Sequence, residues 1–217
     1  MSFAIIIPAR GGSKRIPQKN LKKIGKNSLL SLAIQKSLMI TSDVYVTTDN
    51  EEIAQEARSS GAKVVIRPKE LATDTSKVEE AIKHLLKNIP ANFDDFILLQ
   101  ATSPLVSTES IMEGISIKGP DNSVMSVCEV RKFIWNSSCV PINYRLGEKP
   151  RTQDMEPLYY ESGAFYISST KSFLETGALL NGTIRFTIIP EEESIDIDDP
   201  EDLDKASYYM NIRENKI

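Results

Sequence analysis

Through its first two thirds the chain alternates short, wholly apolar runs with stretches whose apolar residues return at helical spacing. That alternation favours a mostly parallel sheet covered by helices. Phe3 to Ile7 reads as a buried strand stopped at Pro8, and Ser28 to Ile40 as a helix with Leu29, Leu30, Ala33, Ile34 and Leu38 on one face. Val44 to Thr48 reads as a second strand, after which Asp49 or Asn50 is placed to cap a helix carrying Ile53, Ala54 and Ala57 and ending before Gly61. Lys63 to Ile66 and Phe96 to Leu99 read as further strands. Between them Val78, Ala81, Ile82, Leu85, Leu86 and Ile89 form one helical stripe.

From about Glu129 to Pro157 the alternation breaks. This insert holds Phe133, Trp135 and Tyr144 with Pro141, Pro150 and Pro157. A long irregular stretch in a compact domain is commonly functional or an interface; a plain surface loop is the other reading. Phe165 to Ile167 and Ile184 to Ile189 then read as strands, and Pro200 to Met210 as a final helix with proline in its first turn.

A chain of 217 residues, 41% hydrophobic and 26% charged, is expected to form one domain over residues 1–217. The net charge of -4 argues against a nucleic-acid partner, whose affinity comes largely from phosphate neutralisation. No apolar run nears the roughly 18 residues a membrane helix needs, and Met1-Ser2-Phe3-Ala4 carries no basic leader. The expectation is a cytoplasmic protein with no membrane partner. Cys128 and Cys139 lack metal-ligand spacing and are expected to be reduced. His84, the only histidine, falls off its helix's apolar stripe and is expected to be exposed, so a His-Ser or His-Cys mechanism is poorly supported.

Within this acidic chain, Arg10, Lys14, Arg15, Lys19, Lys22, Lys23 and Lys26 form a run of seven cations with no acid among them. Residues alone leave two readings open: a solvated basic face, or a loop whose glycines, Gly11 and Gly12, let backbone N–H groups reach polyphosphate oxygens while the cations neutralise them. The loop fits neither common nucleotide fingerprint. Ligands of open α/β sheets bind beyond the carboxyl ends of the strands, where Arg10 to Lys19, Thr47 to Asn50, Arg67 to Thr75 and Gln100 to Ser103 all fall. Asp196 and Asp198, two apart in an extended segment, put both carboxylates on one side. They suit magnesium, though acids at this position also suit the cap of the last helix.

Pro-Ala-Arg-Gly-Gly-Ser-Lys (8–14), followed by Ile16-Pro17 and Lys19-Asn20, resembles the nucleotide-binding signature of the acylneuraminate cytidylyltransferases, which make CMP-sialic acid and its relatives. The stretches Val46 to Ala54, Arg67 to Ser76, Leu98 to Leu105, Ser162 to Ile167 and Ser194 to Leu203 are similar to further blocks of that family, in the same order. The chain departs from the pattern at Ala101, where proline is usual, at Arg15, where glycine is usual, and at Glu161-Ser162-Gly163, where Asn-Gly is usual.

The resemblance implies a Rossmann-like nucleotidyltransferase fold of the GT-A-like kind: an α/β three-layer sandwich with a mostly parallel sheet, in which the 129–157 insert is a dimerisation lobe. It implies transfer of CMP from CTP to an acidic sugar by a homodimer with Mg2+. Arg10, Lys14 and Lys19 would neutralise the leaving pyrophosphate; Ala9, Gly11, Gly12, Ser13, Asn20, Arg67, Asp74, Ser76 and Thr102 would hold the nucleotide. Gln100, Ser103, Tyr160, Phe165 and Tyr166 would hold the sugar, with Arg151 reaching it from a neighbouring subunit. Asp196 and Asp198 would hold the metal, leaving Asp199 to cap the last helix. A sialic-acid-like nonulosonic acid is the expected acceptor. The alternatives are the eight-carbon acid Kdo or an amino derivative, and a regulator that binds nucleotide without chemistry.

Overall fold

The computed structural model describes residues 2–90 and 92–214. In chain order its elements are β1 (Phe3–Pro8), a small hairpin of β2 (Lys23–Ile24) and β3 (Asn27–Ser28), α1 (Leu29–Leu38), β4 (Val44–Thr48), α2 (Glu51–Ser59), β5 (Lys63–Ile66) and α3 (Val78–Asn88). They continue with β6 (Asp95–Leu99), α4 (Thr108–Ile117), β7 (Asn122–Val130), β8 (Leu158–Ser169), α5 (Thr170–Thr176), β9 (Thr183–Ile188) and α6 (Pro200–Glu214). Seven strands form one sheet in the order β5-β4-β1-β6-β8-β7-β9. All neighbours run parallel except at β8, which is antiparallel to both β6 and β7.

Strand alternation sorts the core into two layers. Ile5 and Ile7 of β1 point to the face covered by Leu30 and Ile34 of α1, Ile53 and Ala57 of α2 and Ile111 of α4. Ala4 and Ile6 point to the other face, against Ile82 and Leu85 of α3 and Phe173 of α5. Both faces are buried, as the apolar parallel strands require, and the result is a three-layer α/β sandwich. Helix starts are fixed by short polar side chains: Ser28 accepts from Ser31 N at 3.0 Å and Asn50 from Ile53 N at 3.0 Å. Among the described residues no helix is long and apolar enough to cross a membrane.

Several elements exceed or escape the expectations from sequence. β8 spans 12 residues rather than the three of Phe165 to Ile167, and α4 and β7 fill a stretch to which the sequence assigned nothing. The insert begins only after β7 ends at Val130. It folds on itself through a Trp135–Pro141 bridge and edge-on stacking of Tyr144 against Phe133 and Trp135, at centroid distances of 5.0 and 5.8 Å. His84 is half-buried rather than exposed, with an Nδ1 that finds no partner among the described residues. Cys128 and Cys139 are both free thiols.

Candidate active site

One wall of the site grows from the end of β1. Pro8 pairs with Thr47 of β4, and Ala9 N donates to Thr47 O at 2.9 Å, so the strand register persists to Ala9 before the chain turns out. The cationic loop that follows is pinned from below. Ile16 is buried in a small cluster with Ile24, Leu29, Leu105, Ile197 and Ala206, and Asn20 Nδ2 donates to Arg10 O at 3.1 Å. Gly11 is demanded by a close approach, because a Cβ there would lie 2.8 Å from Asn50 Cβ.

The facing wall comes from the far end of the chain. Ile197 shares the apolar cluster with Ile16, and its N–H donates to Thr102 O at 2.8 Å. Upstream, the buried Glu193 carboxylate accepts from Ser107 N at 3.0 Å and Ser110 Oγ at 2.7 Å, tying the segment to the start of α4. With Ile197 turned inward, extended backbone turns its neighbours Asp196 and Asp198 outward into the cleft. Lys19 joins the walls: its Nζ donates to Ile197 O at 2.7 Å and lies 3.2 Å from Asp198 Oδ1. Arg15 Nη2 reaches the same oxygen at 3.0 Å. Asp199 Oδ1 accepts from the N–H groups of Glu201 and Asp202 at 3.0 and 3.2 Å, the capping role read for it from the sequence.

The cleft between these walls measures about 650 Å³, within the range of small-molecule sites. Arg10, Lys14, Arg15, Lys19, Arg67 and Lys77 line it against the three carboxylates Asp74, Asp196 and Asp198. An acidic protein thus keeps a cationic cleft, which selects for anions. Arg67 is only 5% exposed and its Nε has no partner among the described residues. Burial pulls its pKa down, opposed by Asp49, yet a guanidinium remains charged. Asp196 behaves oppositely. Asp196 is exposed at the cleft, yet partial desolvation by the cleft walls, with the charge of Asp198 beside it, raises its carboxyl above the usual range against the pull of Thr102 and Lys19.

Of the residues expected at the site, Arg10, Ser13, Lys14, Lys19, Asn20, Arg67, Asp74, Ser76, Gln100, Thr102, Tyr166, Asp196 and Asp198 line this one cleft. Others do not. Ala9 is fully buried with its N–H already bonded, which leaves its side chain nothing to offer a nucleotide. Gly11 spends its N–H on Asp49 Oδ1 at 3.0 Å, and Gly12, though exposed, is not part of the lining. Phe165 is a core residue: alternation along β8 sends it and Ile167 beneath α4 and leaves Tyr166 on the cleft side. Ser103 is 2% exposed, behind the lining. Tyr160 bonds Ser194 Oγ at 2.6 Å away from the cleft, and Arg151 pairs with Asp154 at 2.6 Å in the insert. Conversely, Arg15, Lys77, Thr73 and Gly163 line the cleft without having been singled out as contacts. Arg15 already stood in the cation run, and only the path of the loop distinguishes it from Lys22 or Lys23. A second cavity of about 380 Å³ adjoins the first, sharing Val78, Gln100 and Tyr166, and adds Glu79, Glu161, Leu98 and Leu179. The Tyr166 hydroxyl donates to the Glu161 carboxylate there.

Comparison with known proteins places this geometry in context. The family described as Cytidylyltransferase matches residues 4–133. N-acylneuraminate cytidylyltransferase B of Danio rerio is 35% identical over 206 residues, which cover 90% of this chain and 48% of the relative. The chain therefore spans about half the length of that curated relative. CMP-N,N'-diacetyllegionaminic acid synthase of Legionella pneumophila is 32% identical over the full length of both chains. Among solved structures, CMP:2-keto-3-deoxy-manno-octonic acid synthetase complexed with CTP superposes with a TM-score of 0.70 over 98% of this chain and 100% of that one, at 17% identity, and so shares the fold.

Proposed function

The chain belongs to the cytidylyltransferase family, and on that premise we propose that it joins CTP to a sialic-acid-like nonulosonic acid, giving the CMP-sugar and pyrophosphate. The observation that carries this reading is the meeting, around one cleft, of a cationic loop near the start of the chain with two aspartates near its end. The names of the two relatives described above favour a nonulosonic acid over Kdo as the acceptor.

In this reaction the anomeric hydroxyl attacks the α-phosphorus of CTP, a new P–O bond forms, the bond to pyrophosphate breaks, and the hydroxyl proton passes to water. Negative charge accumulates on the departing oxygens, so the largest contribution available to the protein is fixed positive charge. Arg10, Lys14 and Lys19 supply it, and Arg67 offers a desolvated donor to the nucleotide. Asn20 acts indirectly by bracing the loop through Arg10 O. Gln100 and Tyr166 stand where the two cavities join and receive the sugar, whose tail has the second cavity to occupy.

Asp196 and Asp198 fit Mg2+, which takes hard oxygen donors, often only one or two carboxylates with phosphate and water completing the shell. Among the described residues no larger group of His, Cys, Asp or Glu able to hold a metal occurs. Asp196 and Asp198 would hold the ion, which would supply charge neutralisation and lower the pKa of the attacking hydroxyl. The insert serves as a dimerisation lobe through which Arg151 approaches the neighbouring subunit's sugar, and the cytoplasm, where CTP is made, is the setting.

The test is pyrophosphate release on incubation with CTP, Mg2+ and, in separate reactions, N-acetylneuraminate, N,N'-diacetyllegionaminate and Kdo. Turnover with one or both nonulosonic acids and little with Kdo is expected. Turnover with Kdo alone, or with none of the three, overturns the proposal.

A further inference from the structure

All three cations assigned to the leaving pyrophosphate are already partnered, and Arg10 and Lys14 share one partner. Arg10 Nη1 lies 2.9 Å from Asp74 Oδ1 and Lys14 Nζ lies 2.6 Å from Asp74 Oδ2, so one carboxylate bridges two cations with both of its oxygens. That is the pattern a phosphate group uses. Arg10 Nη1 also donates to Thr73 O at 3.0 Å. The carboxylate is presented by an ordered loop. Ser76 Oγ donates to Glu70 O at 2.9 Å and accepts from Thr73 N at 3.1 Å, while Ser76 N donates to Thr73 Oγ1 at 3.1 Å.

These pairs are exposed, with 79% of the Lys14 side chain and 43% of the Asp74 side chain open to solvent. Exposed ion pairs are individually weak and yield to an anion of higher charge. An aspartate beside a bound triphosphate would instead meet negative charge at close range, which disfavours both. Asp74 and a triphosphate therefore compete for the same two cations.

We propose that Asp74 is a positioning residue that acts as an exchangeable counter-anion: it holds Arg10 and Lys14 extended over the open cleft, gives way to the triphosphate, and returns to them as pyrophosphate departs. This inference rests on the reading of the cleft as a triphosphate site. It assigns Asp74 a role opposite in sign to a nucleotide contact, since its charge weakens polyphosphate binding at equilibrium and hastens product release.

The sign is the test. Pyrophosphate alone, titrated calorimetrically onto the full chain with Mg2+ present, is expected to bind Asp74→Asn about three- to ten-fold more tightly than wild type, the exchange term being that of two weak surface pairs. Asp74→Ser, which removes the carboxylate outright, should tighten binding in the same direction, and Asp74→Glu should restore the wild-type affinity. A role confined to holding the loop in shape predicts weaker binding in the Asn and Ser variants, and unchanged or weaker binding in both overturns the proposal. If wild type binds no pyrophosphate, the triphosphate reading itself fails and this inference with it. Wild-type binding without tightening refutes the counter-anion alone.

Discussion

Asp196 sits in the folded protein at a cost. Its carboxyl is raised above the unfolded value, first by withdrawal from bulk water and then by Asp198. The ionised form is therefore disfavoured by folding. That penalty is present in full above the folded pKa and disappears below the unfolded one. Asp196 is exposed, so solvent screens the penalty, and Asp196→Asn should raise the melting temperature only slightly near neutral pH and match wild type below about pH 4. Turnover should be lost at every pH. Calorimetry at the two pH values with a pyrophosphate-release assay checks both halves, and a lower melting temperature near pH 7 would contradict the electrostatic assignment. At this scale charged positions were the legible ones. Arg10, Lys19, Asp196 and Asp198 could be read because they fall in the stretches that carry the family resemblance, whereas their residue types alone left a basic face and a helix cap open. Ala9, Ser103 and Phe165 could not be separated from true lining residues, because their direction depends on strand register and turn path rather than on residue type.

At the scale of elements, α4 shows why part of the fold was hidden. Its ten residues carry Gly114 in the middle, a residue that ordinarily weakens a helix, and its apolar pattern is short. Packing explains the glycine. A Cβ at this position would lie 2.8 Å from Phe165 Cε2, 3.0 Å from Thr187 Oγ1 and 3.1 Å from Ile167 Cδ1, so the helix lies close against β8 and β9. Gly114→Ala should destabilise the protein by about 1–3 kcal/mol despite alanine's better helix propensity, since overpacking outweighs the propensity gain of about 1 kcal/mol. Chemical denaturation measures it, and a stabilised variant would show that the contact relaxes freely. β7 was hidden for another reason: Ser123 and Ser126 are buried in it, so its sequence lacks the apolar run of a central strand. Ser126 finds partners in Phe165 O at 3.1 Å and Ser162 Oγ at 2.7 Å. By contrast β1, β4 and β6 are buried along nearly their whole length and announced themselves.

Over the whole molecule, the apolar surface is unevenly placed. Val140, Ile142 and Leu146 of the insert are 52%, 60% and 69% exposed, and Ile184, Phe186 and Ile188 share one uncovered face of the edge strand β9. Phe186 packs against Tyr159 at 5.6 Å, extending that face onto β8. Exposed apolar surface of this kind often meets a partner, in keeping with the proposed homodimer. Sedimentation should give twice the chain mass of 24.2 kDa, and Ile142→Asp combined with Leu146→Asp should yield a folded monomer. A wild-type monomer, or a double variant that remains dimeric, would remove the insert from that role.

Lys19 reaches Ile197 O across 178 positions of sequence. A chain still emerging from the ribosome carries its basic turn in the open, with the acids that complete the cleft not yet synthesised. Contacts that distant come late and slow folding. The cleft is therefore completed only once residues 196–198 have been made, and a molecule broken before Asp198 would leave Arg15 and Lys19 without their shared carboxylate.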